Sequence, residues 1–144
     1  MIDRDRATDV FKALSDPTRL RMVRLLAAFR TTMCVCEFVD TLKEKQYNVS
    51  KQLKVLEYAG LIQGEKIGRW TYYGLVESRD STTKGLFKLL AALPDSGEQF
   101  RTDQARFEKR MSLRDDGRCQ VGILTTELEN LPKSKQHGRT SKAR

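Results

Sequence analysis

A single histidine, three cysteines and no long apolar run narrow the possibilities for this 144-residue chain before any pattern is read. The lone histidine, His137, sits in the closing stretch, where a solvated residue is the ordinary reading. One histidine excludes a histidine-rich zinc site on ligand grounds. No catalytic histidine arrangement, glycine-rich phosphate loop or paired-carboxylate site is evident, so an enzyme or a thiol-based metal carrier lacks support. An odd number of cysteines (Cys34, Cys36 and Cys119) argues against a disulfide framework and leaves metal binding, redox sensing or plain burial. No stretch approaches the roughly 18 consecutive apolar residues of a membrane-spanning helix. The opening Met1-Ile-Asp-Arg-Asp-Arg6 runs straight into charge and lacks the apolar core of a signal peptide. We therefore expect no membrane partner and a cytoplasmic location.

Acids are also missing from Lys133 onward, where Lys133, Lys135, Arg139, Lys142 and Arg144 carry five of the net eight positive charges. That stretch reads as a disordered basic tail. A basic chain favours polyanionic partners, nucleic acid first among them. The length suits one domain with a tail. We expect one domain over 1–114, an extension carrying Cys119 over 115–131, and the tail over 132–144.

Apolar residues recur at helical spacing in four places: Ala7, Val10, Phe11 and Leu14; Met22, Leu25, Leu26 and Phe29; Val35, Phe38, Val39 and Leu42; Leu86, Leu89, Leu90 and Leu93. Ser15-Asp16-Pro17 closes the first helix and opens the second, which also carries Leu20 and Val23 and so has a wide buried arc. Gly60 reads as the stop of a helix beginning near Gln46. Residues 61–75 form two runs around Ile67-Gly68, the second rich in aromatic and Thr residues, and read as a β-hairpin. Helical patterning resumes near Lys84 and again from Glu98 to Arg114. The order is four helices, a hairpin and two helices. A mainly α chain in which two short helices precede a small β-hairpin has the plan of a winged helix-turn-helix, whose second helix enters the major groove of double-stranded DNA.

In the candidate recognition helix, Val49, Leu53 and Leu56 share an inward face. Gln46, Asn48, Ser50, Lys51, Gln52 and Lys54 occupy the other face. Asn and Gln pair with adenine edges, Ser bonds either way, and Lys neutralises phosphates. A polar stripe in isolation is equally well a solvated face; its place between a helix and a hairpin favours DNA. Tyr47 either touches DNA or covers the core edge. Lys66 and Arg69 flank the hairpin tip, as wing contacts or as ordinary turn charges.

Three segments carry a family resemblance. Phe11-Lys-Ala-Leu-Ser-Asp-Pro-Thr-Arg-Leu20 closely resembles the opening helix and junction of the ArsR/SmtB metalloregulatory repressors. Val49-Ser-Lys-Gln-Leu-Lys-Val-Leu-Glu-Tyr-Ala-Gly-Leu61 resembles their recognition helix, and Gly68-Arg-Trp-Thr-Tyr-Tyr-Gly-Leu75 their second wing strand. The match covers about residues 8–76. It implies a homodimeric repressor of operator DNA, relieved by an inducer, often a thiophilic metal or metalloid. The Leu86–Leu93 and Glu98–Arg114 segments are then candidates for dimer packing or for the intramolecular core. Lys45 stands where members often have Ser, and Gln52 where they often have His.

Cys34-Val-Cys36-Glu-Phe-Val39 resembles the arsenic-responsive branch, whose pattern is Cys-Val-Cys-Asp-Leu-Cys; Val39 replaces the third cysteine. The resemblance implies As(III) or Sb(III) as inducer, with Cys34 and Cys36 as ligands. Cys119 is a candidate third thiolate, since Gly117 and Gly122 let the chain bend and Arg114 and Arg118 offer charge. Residues i and i+2 do not share a helix face, so chelation by Cys34 and Cys36 requires an irregular or unwound helix start. We expect the helix N-terminus to lower the thiol pKa, inducer binding to distort that helix, and Glu37 to cap it without ligating. A thiol redox switch, or response to another soft metal, is the alternative.

Overall fold

A computed structural model describes residues 4–94 and 97–132. The elements are α1 (Arg4–Leu14), α2 (Pro17–Phe29), α3 (Val35–Leu42), α4 (Gln46–Tyr58), β1 (Ile62–Ile67), β2 (Trp70–Leu75), α5 (Ser81–Ala91), α6 (Glu98–Met111) and α7 (Thr125–Glu129). The basic stretch with His137 lies outside the described residues. No described helix is long and apolar enough to cross a membrane.

The helix starts follow from local chemistry. Asp16 accepts a hydrogen bond from the Arg19 backbone N–H at 3.0 Å, and Pro17 follows as the first helical residue. The wide arc expected of α2 is present: Met22, Val23, Leu25 and Leu26 are all buried. This helix therefore contacts α1, α3, α4, α5, α6 and β2. Gly60 ends α4 at φ 78°, and the Leu61 N–H returns to the Leu56 carbonyl at 3.1 Å. Lys45 precedes α4 without a side-chain cap.

β1 and β2 pair antiparallel, from Ile62 opposite Leu75 to Ile67 opposite Trp70. Gly68 takes φ 64°, the positive value that two-residue hairpin loops demand. Val49, Leu53 and Leu56 of α4 face the core as the spacing predicts, each burial stabilising by about 2 kcal/mol.

Two apolar residues depart from the helical pattern. Phe11 is 64% exposed and Leu89 60% exposed. The inward stripe of α1 is Val10, Ala13 and Leu14, which leaves Phe11 at its solvent edge. In α5 the buried apolar residue is Leu90, one position beyond Leu89. By contrast, α6 buries one face within the chain: Phe107 stacks on Phe29 with ring centroids 4.4 Å apart.

The short helix α7 has too few residues for a legible period. Leu128 on it is fully buried. The segment leading to it is held by Asp40 of α3, which is also fully buried. Asp40 accepts hydrogen bonds from the Leu124 N–H at 2.9 Å and the Thr125 hydroxyl at 2.8 Å. Its carboxylate lies 2.7 Å from Nε of Arg110, likewise fully buried. Arg110 donates to the carbonyls of Val121 and Gly122 at 2.8 and 2.9 Å. Residues 115–132 are thus fastened across α3 and α6. Asp40→Ala leaves the Arg110 guanidinium buried without its counter-ion. Urea unfolding is expected to show a loss of about 3–5 kcal/mol.

Candidate functional site

The sulfurs of Cys34, Cys36 and Cys119 lie within 4.8 Å of one another, and all three residues are buried. Cys34 Sγ is 3.0 Å from Cys36 Sγ, and Cys36 Sγ is 3.5 Å from Cys119 Sγ. Cys34 and Cys36 converge because the helix start is irregular at Cys34, one of the two arrangements that their i, i+2 spacing required. Cys34 is the residue that precedes α3, with extended backbone at φ −87° and ψ 169°, while Cys36 lies in the first turn. The helical face rule therefore does not govern the pair. Two sulfurs bonded to one metal at about 2.3 Å each stand no more than about 4.6 Å apart. Both neighbouring pairs already satisfy this limit, so the set fits a soft, thiophilic ion.

Each thiol-bearing segment has its own anchor. The Cys34 N–H donates to Glu37 at 3.0 Å, the cap expected of Glu37. Glu37 also accepts two bonds from Arg114, both at 2.7 Å, and Arg114 donates to the Thr32 carbonyl at 2.7 Å. Met33 exchanges two backbone hydrogen bonds with Tyr73 of β2, at 2.9 and 2.8 Å. The Cys119 N–H donates to the Tyr72 hydroxyl at 2.9 Å. Arg110 is the guanidinium whose Nη2 reaches Cys119 Sγ, at 4.0 Å. It was missed from the sequence, although Arg106 and Arg110 stand four residues apart on one side of α6. Arg114 is engaged by Glu37, and Arg118 is exposed, 5.9 Å over the Tyr72 ring.

The thiol electrostatics run opposite to the helix-dipole expectation. Cys34 is pushed well above the ordinary thiol range, chiefly by its hydrogen bond with Cys36, then by burial and the Glu37 charge. Burial likewise pushes Cys119 up, aided by its hydrogen bond with Cys34. In a dry cluster, crowding and desolvation outweigh one helix N-terminus.

The expected DNA-facing residues separate into two groups. Gln46, Tyr47, Lys51 and Lys54 on α4 are exposed, as are Lys66 and Arg69 at the hairpin end. Arg69 stacks 4.9 Å over the Trp70 ring. Asn48 and Ser50 are half-buried, and Gln52 is buried. Gln52 accepts from Arg19 at 2.5 Å and donates to Asn48 at 3.0 Å. Asn48 in turn donates to Glu44 at 2.7 Å. This ladder holds the amides of Asn48 and Gln52 along α4, so either must exchange partners to read a base. Arg19, also bonded to the Ala13 carbonyl at 2.6 Å, was not singled out from the sequence.

The raised Cys34 thiol gives a pH dependence with a definite sign. Unfolded, this thiol titrates near 9.0, and folded it keeps its proton to higher pH. Between those points the folded state binds more protons, so stability falls as pH rises. Urea midpoints of reduced, metal-free protein measured at about pH 8 and about pH 10 are expected to drop less in Cys34→Ala than in the wild-type chain. Equal drops would remove Cys34 as the cause.

Residues 16–63 match the family model described as bacterial regulatory protein, arsR family. An uncharacterized HTH-type transcriptional regulator, MJ1325 of Methanocaldococcus jannaschii, is 39% identical over 89 residues, covering 62% of this chain and 96% of that protein. The arsenical resistance operon repressor of Escherichia coli is 38% identical over 66 residues, covering 46% of this chain and 56% of the repressor. Arsenic resistance transcriptional regulator ArsR1 of Pseudomonas putida is 42% identical over 66 residues, covering 46% of this chain and 51% of that regulator. The chain thus spans about half the length of these two arsenic-resistance relatives. HlyU from Vibrio cholerae shares the fold, with a TM-score of 0.53 at 24% identity, covering 60% of this chain and 88% of HlyU. With its helix-turn-helix, its β1–β2 wing and these relatives, the chain belongs to the ArsR family of winged helix-turn-helix transcriptional regulators.

Proposed function

We propose that this regulator is a cytoplasmic repressor of operator DNA, released when trivalent arsenic or antimony is captured by Cys34, Cys36 and Cys119. The observation that carries the reading is the third thiol: Cys119, distant in sequence, lies 3.5 Å from Cys36. Residues 1–114 supply DNA binding and dimerisation, and 115–131 bring Cys119 to the site. Each S–H proton combines with one hydroxyl of arsenous acid, so three As–S bonds form as three waters leave.

In the DNA complex α4 enters the major groove, with Gln46, Tyr47, Asn48, Ser50, Lys51, Gln52 and Lys54 toward the duplex and Lys66 and Arg69 at the backbone. The functional unit is a homodimer, with exposed Phe11 on α1 and Leu89 on α5 as apolar contributors to the interface.

A second reading keeps the fold and makes the thiols a redox switch, favoured by the 3.0 Å separation of the Cys34 and Cys36 sulfurs. There hydrogen peroxide takes two electrons and two protons from the pair, leaving a disulfide and two waters.

Fluorescence anisotropy of the reduced protein on DNA from its own upstream region, titrated with arsenite, tests the main reading. Release near one arsenite per chain is expected. Cys119→Ser should cut the number of arsenite-protected thiols from three to two and weaken arsenite binding by about tenfold or more, the effect of losing one thiolate ligand. Release by peroxide but not by arsenite would establish the switch instead. On the DNA side, Lys51→Ala with Lys54→Ala should flatten the salt dependence of binding by about one unit per lost phosphate contact.

A further inference from the structure

Three cysteines and a tyrosine make up a second, small core, separate from the main one: Cys34, Cys36, Cys119 and Tyr72, flanked by Ile67 and Trp70. The tyrosine and its flanking residues belong to the hairpin. The thiols are therefore the floor on which the wing is packed, as well as a ligand set.

Two backbone connections tie that floor to adjacent residues of β2. Met33, immediately before Cys34, exchanges both backbone hydrogen bonds with Tyr73. Cys119 donates its own peptide N–H to the Tyr72 hydroxyl, and both residues are buried. Tyr72 lies two residues from Trp70, which closes the hairpin opposite Ile67, and three from Arg69 at the tip. A shift at the tyrosine ring therefore acts on a short lever.

The alternative exit for the signal, through α3, is heavily braced. Glu37 is held by Arg114 and Asp40 by Arg110, both as buried or mostly buried ion pairs. Phe38 and Leu42 on the same helix sit in the main core. Among the described residues no ion pair braces the hairpin, which beyond its Met33 and Cys119 ties and the inward Ile62, Tyr73 and Leu75 is free toward its tip. It is a two-stranded sheet, marginal by itself, and residues Gln63 to Lys66 of β1 are exposed.

We propose that Tyr72 is the positioning residue that holds Cys119 for the inducer and passes inducer occupancy to the DNA through the wing. The proposal rests on the reading of the three thiols as an arsenite site and of Arg69 and Lys66 as DNA contacts. When the sulfurs turn toward one shared atom, Cys119 shifts relative to Cys34 and Cys36. The hydroxyl that accepts from its N–H shifts with it, and the hairpin tip is re-aimed against the phosphates. Inducer and DNA are then coupled as any two ligands are, through their different affinities for two wing positions.

Tyr72→Phe removes the hydroxyl and keeps the ring. Thiol counting with arsenite comes first. Three protected thiols in both wild type and Tyr72→Phe are expected, and a wild-type chain showing no protection would defeat the arsenite reading itself. Next, anisotropy on the same DNA is expected to give inducer-free affinities within about twofold, with the arsenite-induced weakening reduced about tenfold in the variant. An unchanged weakening would overturn the proposal. Trp70, the chain's single tryptophan, supplies a readout that needs neither DNA nor a variant. Arsenite should change its emission in the wild-type chain. If Tyr72→Phe does not bind DNA at all, this measurement decides, and emission indifferent to arsenite sinks the wing route.

Discussion

Asp40 and Arg110 face each other at 2.7 Å with neither side chain reaching solvent. Charges so placed are costly unless protein groups replace the lost water, which Arg110 achieves through Nη2 while its Nε and Nη1 make no hydrogen bond. The partners recruited are the Leu124 N–H and Thr125 hydroxyl on one side, and the Val121 and Gly122 carbonyls on the other. Those groups belong to the segment that carries Cys119. Satisfying one buried ion pair thus draws a distant piece of chain across α3 and delivers a third sulfur to Cys34 and Cys36. The position of the site is a consequence of that pair.

The same arrangement bears on the raised Cys34 and Cys119 thiols. Arg114 and Arg110 are paired with Glu37 and Asp40, so the guanidiniums nearest the sulfurs are already committed to carboxylates. The sulfurs face one another, the Tyr72 ring, the apolar underside of the wing and the Val121 carbonyl, which lies 3.2 Å from Cys119 Sγ, with Arg110 Nη2 at 4.0 Å. Such surroundings disfavour a free thiolate and favour covalent capture by a soft centre that carries its own leaving groups. A regulator gains from this, because inert thiols do not react with passing electrophiles as exposed thiolates do.

The proposed DNA face is built differently, from exposed cations on two elements that share the central helix as support. Lys51 and Lys54 stand on α4, and Lys66 and Arg69 at the hairpin tip. Behind them the Arg19–Gln52–Asn48–Glu44 ladder orders side chains that look in sequence like free base readers. The thiol core lies under the hairpin and at the start of α3, so the proposed inducer site and the proposed wing contacts meet at β2.

By itself the sequence determined the periodic parts: the helical stripes of α1 to α5, the Asp16-Pro17 start of α2, the Gly60 stop and the Gly68 turn. These are local, because spacing and backbone freedom act over a few residues. The pairing of Cys34 with Cys36 was legible too, through a motif. Tertiary structure decided the rest. It showed Phe11 and Leu89 outside the core, α6 folded into the chain, and Gln52 bonded to a residue 33 positions earlier. It also brought in the long-range partners Asp40 with Arg110 and Tyr72 with Cys119. A buried charge or a thiol announces that it needs a partner; which partner it finds depends on how the helices cross, and no local pattern encodes that.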